Sequence, residues 1–263
     1  MKKILVSDFD GVICNGLPEY FHSTKLAFQE IWGKDRSLDE LQQLQPQFNR
    51  LRPVIETGWE MPVLIKALLT GVSEAEILND WHTIKTKLSE NLEREQKLQT
   101  KDIAKILDNI RQQQIDRELE TWLSRHDFYE GTIAKLKQIM EQGTTLYILT
   151  TKEGSFSRVL LEQQGINLPS HQIIGKEVKR PKYESLKLIL AQENIDGDNA
   201  PCVSFIEDRL EALELVHQQP ELAGVNLYLA DWGYNTIATQ EKAQKSSHVQ
   251  VLSLAKFTGN DVF

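Results

Sequence analysis

Two carboxylates, Asp8 and Asp10, stand directly after the apolar run Ile4 to Val6, in the segment Asp8-Phe9-Asp10-Gly11-Val12. Side chains two residues apart at a strand end point roughly the same way, and Gly11 lets the chain turn sharply where a side chain would clash. Such a pair can hold a divalent cation and attack a phosphorus atom. An ordinary aspartate is ionised at neutral pH, so Asp8 can act as a nucleophile without a separate base. Asp10 then has the complementary task, carrying a proton to the ester oxygen that leaves. The same residues also suit an Asx-type turn or a calcium-like loop; their place straight after an apolar strand favours the catalytic reading.

The elements that must position this pair are legible as five short apolar runs: Ile4 to Val6, Leu146 to Leu149, Ile173 to Ile174, Val203 to Ile206 and Leu227 to Leu229. Each reads as a buried strand. Stretches with helical spacing, such as Phe156 to Gln164 and Tyr183 to Gln192, lie between the last four. Strand and helix alternating in this way predict a doubly wound parallel sheet, an α/β fold whose ligands bind at the carboxyl ends of the strands. From about Pro18 to about Arg125 no run resembles a strand, and apolar residues recur three and four apart, as in Leu88, Leu92, Ile103, Ile106, Leu107, Ile110, Leu119, Trp122 and Leu123. That block is expected to be all helical, with these residues packing helix on helix. The predicted domains are an α/β core from residues 1–16 and 127–263 and an inserted helical domain over 17–126. Both of its connections then lie near the end of the first strand, where a ligand binds.

The run Ile4 to Val12 resembles the first motif of the haloacid dehalogenase superfamily of phosphatases, an apolar strand followed by Asp-x-Asp-Gly-[Val/Thr]. The resemblance extends over the sheet part of the chain. Tyr147-Ile148-Leu149-Thr150-Thr151-Lys152 is similar to the family's second motif, which implies that Thr150, or its neighbour Thr151, binds a phosphoryl oxygen. The third motif is a lysine at a helix start, and Lys182 fits it, with Lys179 as the other candidate in Gly175 to Leu186. Val203-Ser204-Phe205-Ile206-Glu207-Asp208-Arg209 matches the Glu-Asp form of the fourth motif, implying Asp208 and Glu207 as metal ligands. The commoner form carries a further Asp four residues on, where this chain has Ala212. The resemblance therefore implies Mg²⁺ held by Asp8, Asp10, Glu207 and Asp208, and a phosphoryl group bound by Asp8, Gly11, Thr150, Thr151 and Lys182. It implies a phosphatase forming an aspartyl-phosphate on Asp8, because dehalogenases lack the second Asp and phosphonate hydrolases usually replace it. A phosphosugar mutase, or a silent member that only binds a phosphorylated ligand or a partner, are the alternatives.

In this family an insertion between the first two motifs is a C1 cap that closes as a lid. Arg50, Arg52, Glu56, Trp59 and Glu60 are its candidate substrate contacts, since arginines suit a second anionic group and Trp59 can stack on a ring. Helix-end ion pairs and a packed tryptophan would use the same residues. Leu229-Ala230-Asp231-Trp232-Gly233-Tyr234-Asn235 resembles the Trp-Gly-Tyr of phosphoglycolate-phosphatase-like members, and with Phe205 to Leu210 resembles a cyanobacterial and plastid-type branch.

Composition excludes other classes. With 40% hydrophobic and 26% charged residues among 263, this is the composition of a globular protein with a substantial core. A net charge of −8 is repelled by nucleic acid and by anionic membranes. A small phosphorylated metabolite remains acceptable, because a metal ion and a few aimed lysines reverse the field locally. Two distant cysteines, Cys14 and Cys202, suit a reducing compartment, and the short apolar N-terminal run is neither signal peptide nor membrane span. A cytoplasmic protein is expected, monomer or dimer. The six histidines, including His22 and His126, form no metal-ligand spacing and read as surface or packing residues.

Overall fold

The computed structural model describes residues 2–193 and 202–259. The chain divides into two compact units, one made of Met1–Asn15 and Asp127–Phe263, the other of Gly16–His126.

The first unit is built on a six-stranded parallel sheet. Its strands are β1 (Lys3–Ser7), β4 (Thr145–Leu149), β5 (Ile173–Ile174), β6 (Cys202–Glu207), β7 (Val225–Ala230) and β8 (Val249–Leu252), in the spatial order β5-β4-β1-β6-β7-β8. The remaining two strands, β2 (Cys14–Asn15) and β3 (Asp127–Phe128), form a small antiparallel pair with Asn15 opposite Asp127, so the chain leaves this unit and returns to it side by side. β1 is central and reads Ile4-Leu5-Val6 without polar interruption because both of its faces are covered. Ile4 and Val6 join a buried cluster with Tyr147, Leu149, Val203, Phe205, Leu227 and Leu229, while Leu5 points to the other face and is fully buried. The sheet order runs one way from β1 through β4 and the other way through β6, which makes the carboxyl ends of β1, β4 and β6 the switch point where such folds bind ligands.

The second unit is helical throughout its described elements, as its apolar spacing predicts: α1 (Leu17–Trp32), α2 (Leu38–Gln42), α3 (Gln45–Leu51), α4 (Glu60–Leu69), α5 (Glu74–Gln96) and α6 (Thr100–Leu123), with one 3₁₀ turn at Arg52–Val54. Ser37 and Ser73 close capping boxes at the starts of α2 and α5. Leu92, Ile103, Leu107, Ile110, Trp122 and Leu123 are buried, whereas Leu119 is 41% exposed. The first unit adds α7 (Thr132–Glu141), α8 (Gly154–Gln163), α9 (Lys182–Gln192), α10 (Leu210–His217), α11 (Ile237–Gln244) and α12 (Leu254–Thr258). β2, β3 and β8 were not among the predicted strands. No helix among the described residues is long and apolar enough to cross a membrane.

Candidate active site

Asp8 follows the last residue of β1, and its backbone N–H donates to the Ile206 carbonyl of β6 at 2.9 Å, which ties the ends of the two strands together. Asp8 is 5% exposed; its Oδ1 accepts from the Phe9 N–H at 2.7 Å and its Oδ2 lies 3.0 Å from Lys182 Nζ. Lys182 opens α9 directly after Pro181, whose extended backbone suits a helix start. The same ammonium donates to Glu207 Oε2 at 2.5 Å. Burial alone disfavours the charge on Lys182, but the Asp8 and Glu207 carboxylates outweigh it and hold the ammonium above the ordinary lysine range. Lys179, by contrast, is exposed and left-handed (φ 51°) in the loop before α9.

Asp8, Glu207 and Asp208 are all buried, and each offers a carboxylate oxygen within 4.8 Å of the others. Asp10 is not in this group. Its Oδ1 instead accepts from Lys152 Nζ at 3.3 Å, a contact between residues 142 apart in sequence. Glu207 is pushed well above the usual carboxylate range, first by burial and then by the charge of Asp8, against the pull of Lys182. Glu207 Oε1 is buried without a hydrogen-bond partner. An all-oxygen donor set in which Glu207 Oε1 is left open fits a hard divalent cation such as Mg²⁺.

Asp208 is aimed by the segment that follows β7. The Tyr234 N–H donates to Asp208 Oδ2 at 2.7 Å, Asn235 Nδ2 donates to the Asp208 carbonyl at 3.0 Å, and Trp232 Nε1 donates to the Val12 carbonyl at 3.0 Å. Gly11 turns here with φ 86°. Burial, and then the Asp208 charge, push the Tyr129 phenol above its ordinary range beside Tyr234.

Thr150 lies just beyond β4 and is 4% exposed; its backbone N–H donates to the Ile174 carbonyl of β5 at 2.9 Å, and its hydroxyl accepts from the Lys152 N–H at 3.1 Å. Thr151 is exposed. This loop is braced against the one after β5, where Glu177 accepts from Gly154 N–H at 3.1 Å and from Gly175 N–H at 3.2 Å. Sequence reasoning missed Lys152, although it ends the quoted second motif, and gave no task to Gly233 or Tyr234 within the Trp-Gly-Tyr signature.

The five candidates in the helical unit all have partners inside that unit. Arg50 makes two bonds to Glu74, at 2.9 and 2.6 Å. Arg52 donates to the Ile55 carbonyl at 3.0 Å and lies 5.3 Å from the Tyr20 ring centre. Lys85 sits 5.9 Å from the Trp59 ring centre, 3.7 Å from Glu56 and 3.2 Å from Glu60. Glu60 is 1% exposed and also accepts from Trp81 Nε1 at 2.8 Å.

No family model and no curated protein matches the sequence. Solved structures do match across nearly the whole chain. A provisionally assigned phosphoglycolate phosphatase from Lactobacillus delbrueckii subsp. bulgaricus superposes with a TM-score of 0.58 at 12% identity, covering 96% of this chain and 95% of its own. A predicted phosphoglycolate phosphatase from Haemophilus somnus 129pt gives 0.57 at 16% identity, covering 94% and 93%. A haloacid dehalogenase-like family hydrolase from Streptococcus pneumoniae gives 0.56 at 12% identity, covering 96% and 94%. At such identities the likeness is one of architecture, and with the parallel sheet and its helical insertion it means that this chain has the fold of the haloacid dehalogenase-like hydrolases.

Proposed function

We propose that the protein is a Mg²⁺-dependent phosphatase that hydrolyses a small phosphate monoester through an aspartyl-phosphate on Asp8. The observation that carries this reading is the buried group of Asp8, Glu207 and Asp208 at the carboxyl ends of β1 and β6, with the Lys182 ammonium paired to the first two. Those three carboxylates would hold Mg²⁺, which supplies charge neutralisation for the phosphoryl oxygens. An Asp8 carboxylate oxygen attacks phosphorus, and the bond from phosphorus to the ester oxygen breaks. Asp10 gives its proton to the departing oxygen and then takes one from the water that attacks the aspartyl-phosphate, which returns Asp8 and releases phosphate. Lys182, pinned between Asp8 and Glu207, offsets negative charge on the transferring group, and the Thr150 hydroxyl orients one of its oxygens. Lys152 positions the Asp10 carboxylate through the 3.3 Å contact.

The test is phosphate release from a generic aryl phosphate with and without Mg²⁺, for the protein and for Asp8→Asn. Turnover should require the metal and fall on the order of 10⁴-fold in the variant. Turnover that survives the substitution overturns the mechanism, and isomerised sugar phosphate without net phosphate release would favour a mutase. Phosphoglycolate belongs in the metabolite panel that follows.

A further inference from the structure

The helical unit holds a cavity that the catalytic reading leaves unused. It is a cleft of about 580 Å³, open to solvent, beside α1 and α6, and Lys34, Arg117 and Arg125 stand on its wall. Among the described residues none of these three cations is in an ion pair. Arg125 donates to the neutral Gln114 side chain at 3.2 Å, and no carboxylate neutralises it. Glu30 and Glu118 also line the cavity, so three cations face two acids in a chain whose net charge is −8. The balance inside is positive where the whole molecule is negative.

Two further features belong to the same wall. His22 lines the cavity, and its imidazole is held below its usual range by burial, then by Arg125 and Lys25, which outweigh Glu19 and Glu118. Burial disfavours the charged ring whatever the sign of the field, and the charges of Arg125 and Lys25 add a positive contribution at this point of the wall. The backbone of α6 also breaks on the cavity wall, at Glu118 (φ −144°, ψ 53°), which leaves Arg117 as the last residue before the interruption. Leu26 and Ile110 supply an apolar patch beside the cations.

We propose that this cavity is a binding site for a small organic phosphate, its phosphoryl group held by Arg117, Arg125 and Lys34 and its carbon portion resting on Leu26 and Ile110. Guanidinium forks match the oxygens of a phosphate two at a time, and neighbouring arginines without carboxylate partners are free to do so. The apolar patch distinguishes an organic phosphate from the free ion, since buried carbon adds affinity that inorganic phosphate cannot gain.

The test is calorimetric titration of the intact protein, in Mg²⁺-free and phosphate-free buffer, with phenylphosphonate and with inorganic phosphate. Phenylphosphonate should bind more tightly than inorganic phosphate. Its affinity should fall about tenfold in Arg117→Gln/Arg125→Gln, as expected for loss of charge-assisted hydrogen bonds. Lys34→Gln should lose a smaller factor, Arg117→Lys, which keeps the charge but not the two-pronged geometry, should lose part of the affinity, and Lys182→Ala, which alters only the catalytic lysine, should leave this binding in place. Equal binding by the double variant, absence of saturable binding at millimolar ligand, or abolition by Lys182→Ala alone would each overturn the proposal. Inorganic phosphate binding as tightly as phenylphosphonate would assign the cavity to the free ion and overturn the organic ligand. Arg117→Lys and Lys34→Gln keep the test decisive even if the double variant folds poorly.

Discussion

The tightest point in the carboxylate group is the gap between Gly11 and Gly233, which Asp208 fills. A Cβ built on Gly11 would lie 2.0 Å from Asp208 Oδ2, and one on Gly233 would lie 2.3 Å from Asp208 Cβ and 2.5 Å from the Gly11 carbonyl oxygen. Gly233 has no need of positive φ, so Gly233→Ala tests space alone. It should push Asp208 aside and raise the Mg²⁺ concentration for half-maximal turnover about tenfold or more, a loss of the size seen when a ligand's supporting contacts are removed; an unchanged metal titration would mean that Asp208 is not a ligand. Lys152→Met should lower kcat by about 10²-fold with little change in KM, because the substitution frees Asp10 without removing it. If kcat holds and KM rises instead, Lys152 touches substrate rather than positioning the acid. As candidates, Asp8 and Asp10 could be picked out from their place after an apolar strand, while Thr150, Lys182, Glu207 and Asp208 came from the family resemblance, at strand ends or a helix start. Lys152 came from neither: nothing in the spacing tells that its ammonium reaches a carboxylate 142 residues earlier, which only the parallel register of β1 against β4 brings near.

At the scale of elements, the five predicted strands and the helical block emerged because burial on both sheet faces demands unbroken apolar runs and helix packing demands apolar residues three and four apart. Two-residue strands such as β2 and β3 carry no periodicity to read, and β8 lies at the sheet edge with Gln250 exposed between its two valines. The start of α4 shows a different limit. Glu60 offered itself in sequence as a substrate contact, yet its carboxylate accepts from Thr57 N–H at 3.2 Å, Thr57 Oγ1 at 2.9 Å and Trp81 Nε1 at 2.8 Å, with Lys85 beside it. Removing one partner of a buried charged pair strands the other, so Glu60→Ala should cost about 3 kcal/mol in urea unfolding followed by tryptophan fluorescence. Aryl-phosphate kcat at temperatures where the variant is folded should stay within about twofold of the parent, since the aryl ester is small. Loss of kcat without loss of stability would favour Glu60 as a substrate contact over this structural role.

Across the whole molecule, the fold class was legible where the substrate was not, because a parallel sheet follows from strand–helix alternation while substrate identity depends on a few side chains whose neighbours come from distant segments. One consequence of those distant neighbours concerns acidity. His22 is held below its ordinary value of 6.5 by burial, Arg125 and Lys25, against Glu19 and Glu118. The unfolded chain therefore binds the proton first as pH falls through 6.5, and stability drops from that point until the folded imidazole also protonates. The melting temperature of the parent protein, compared with His22→Gln in phosphate-free buffer, should decline more steeply below that pH; parallel profiles would show that His22 is not the group responsible. The central claim concerns Asp8 itself and is tested most directly by acid quench during turnover of a phosphoryl-labelled ester with Mg²⁺, followed by peptide mapping. The label should appear on the peptide carrying Asp8 and be missing from Asp8→Asn, whereas steady turnover with no trapped label, or label on another residue, would contradict the account.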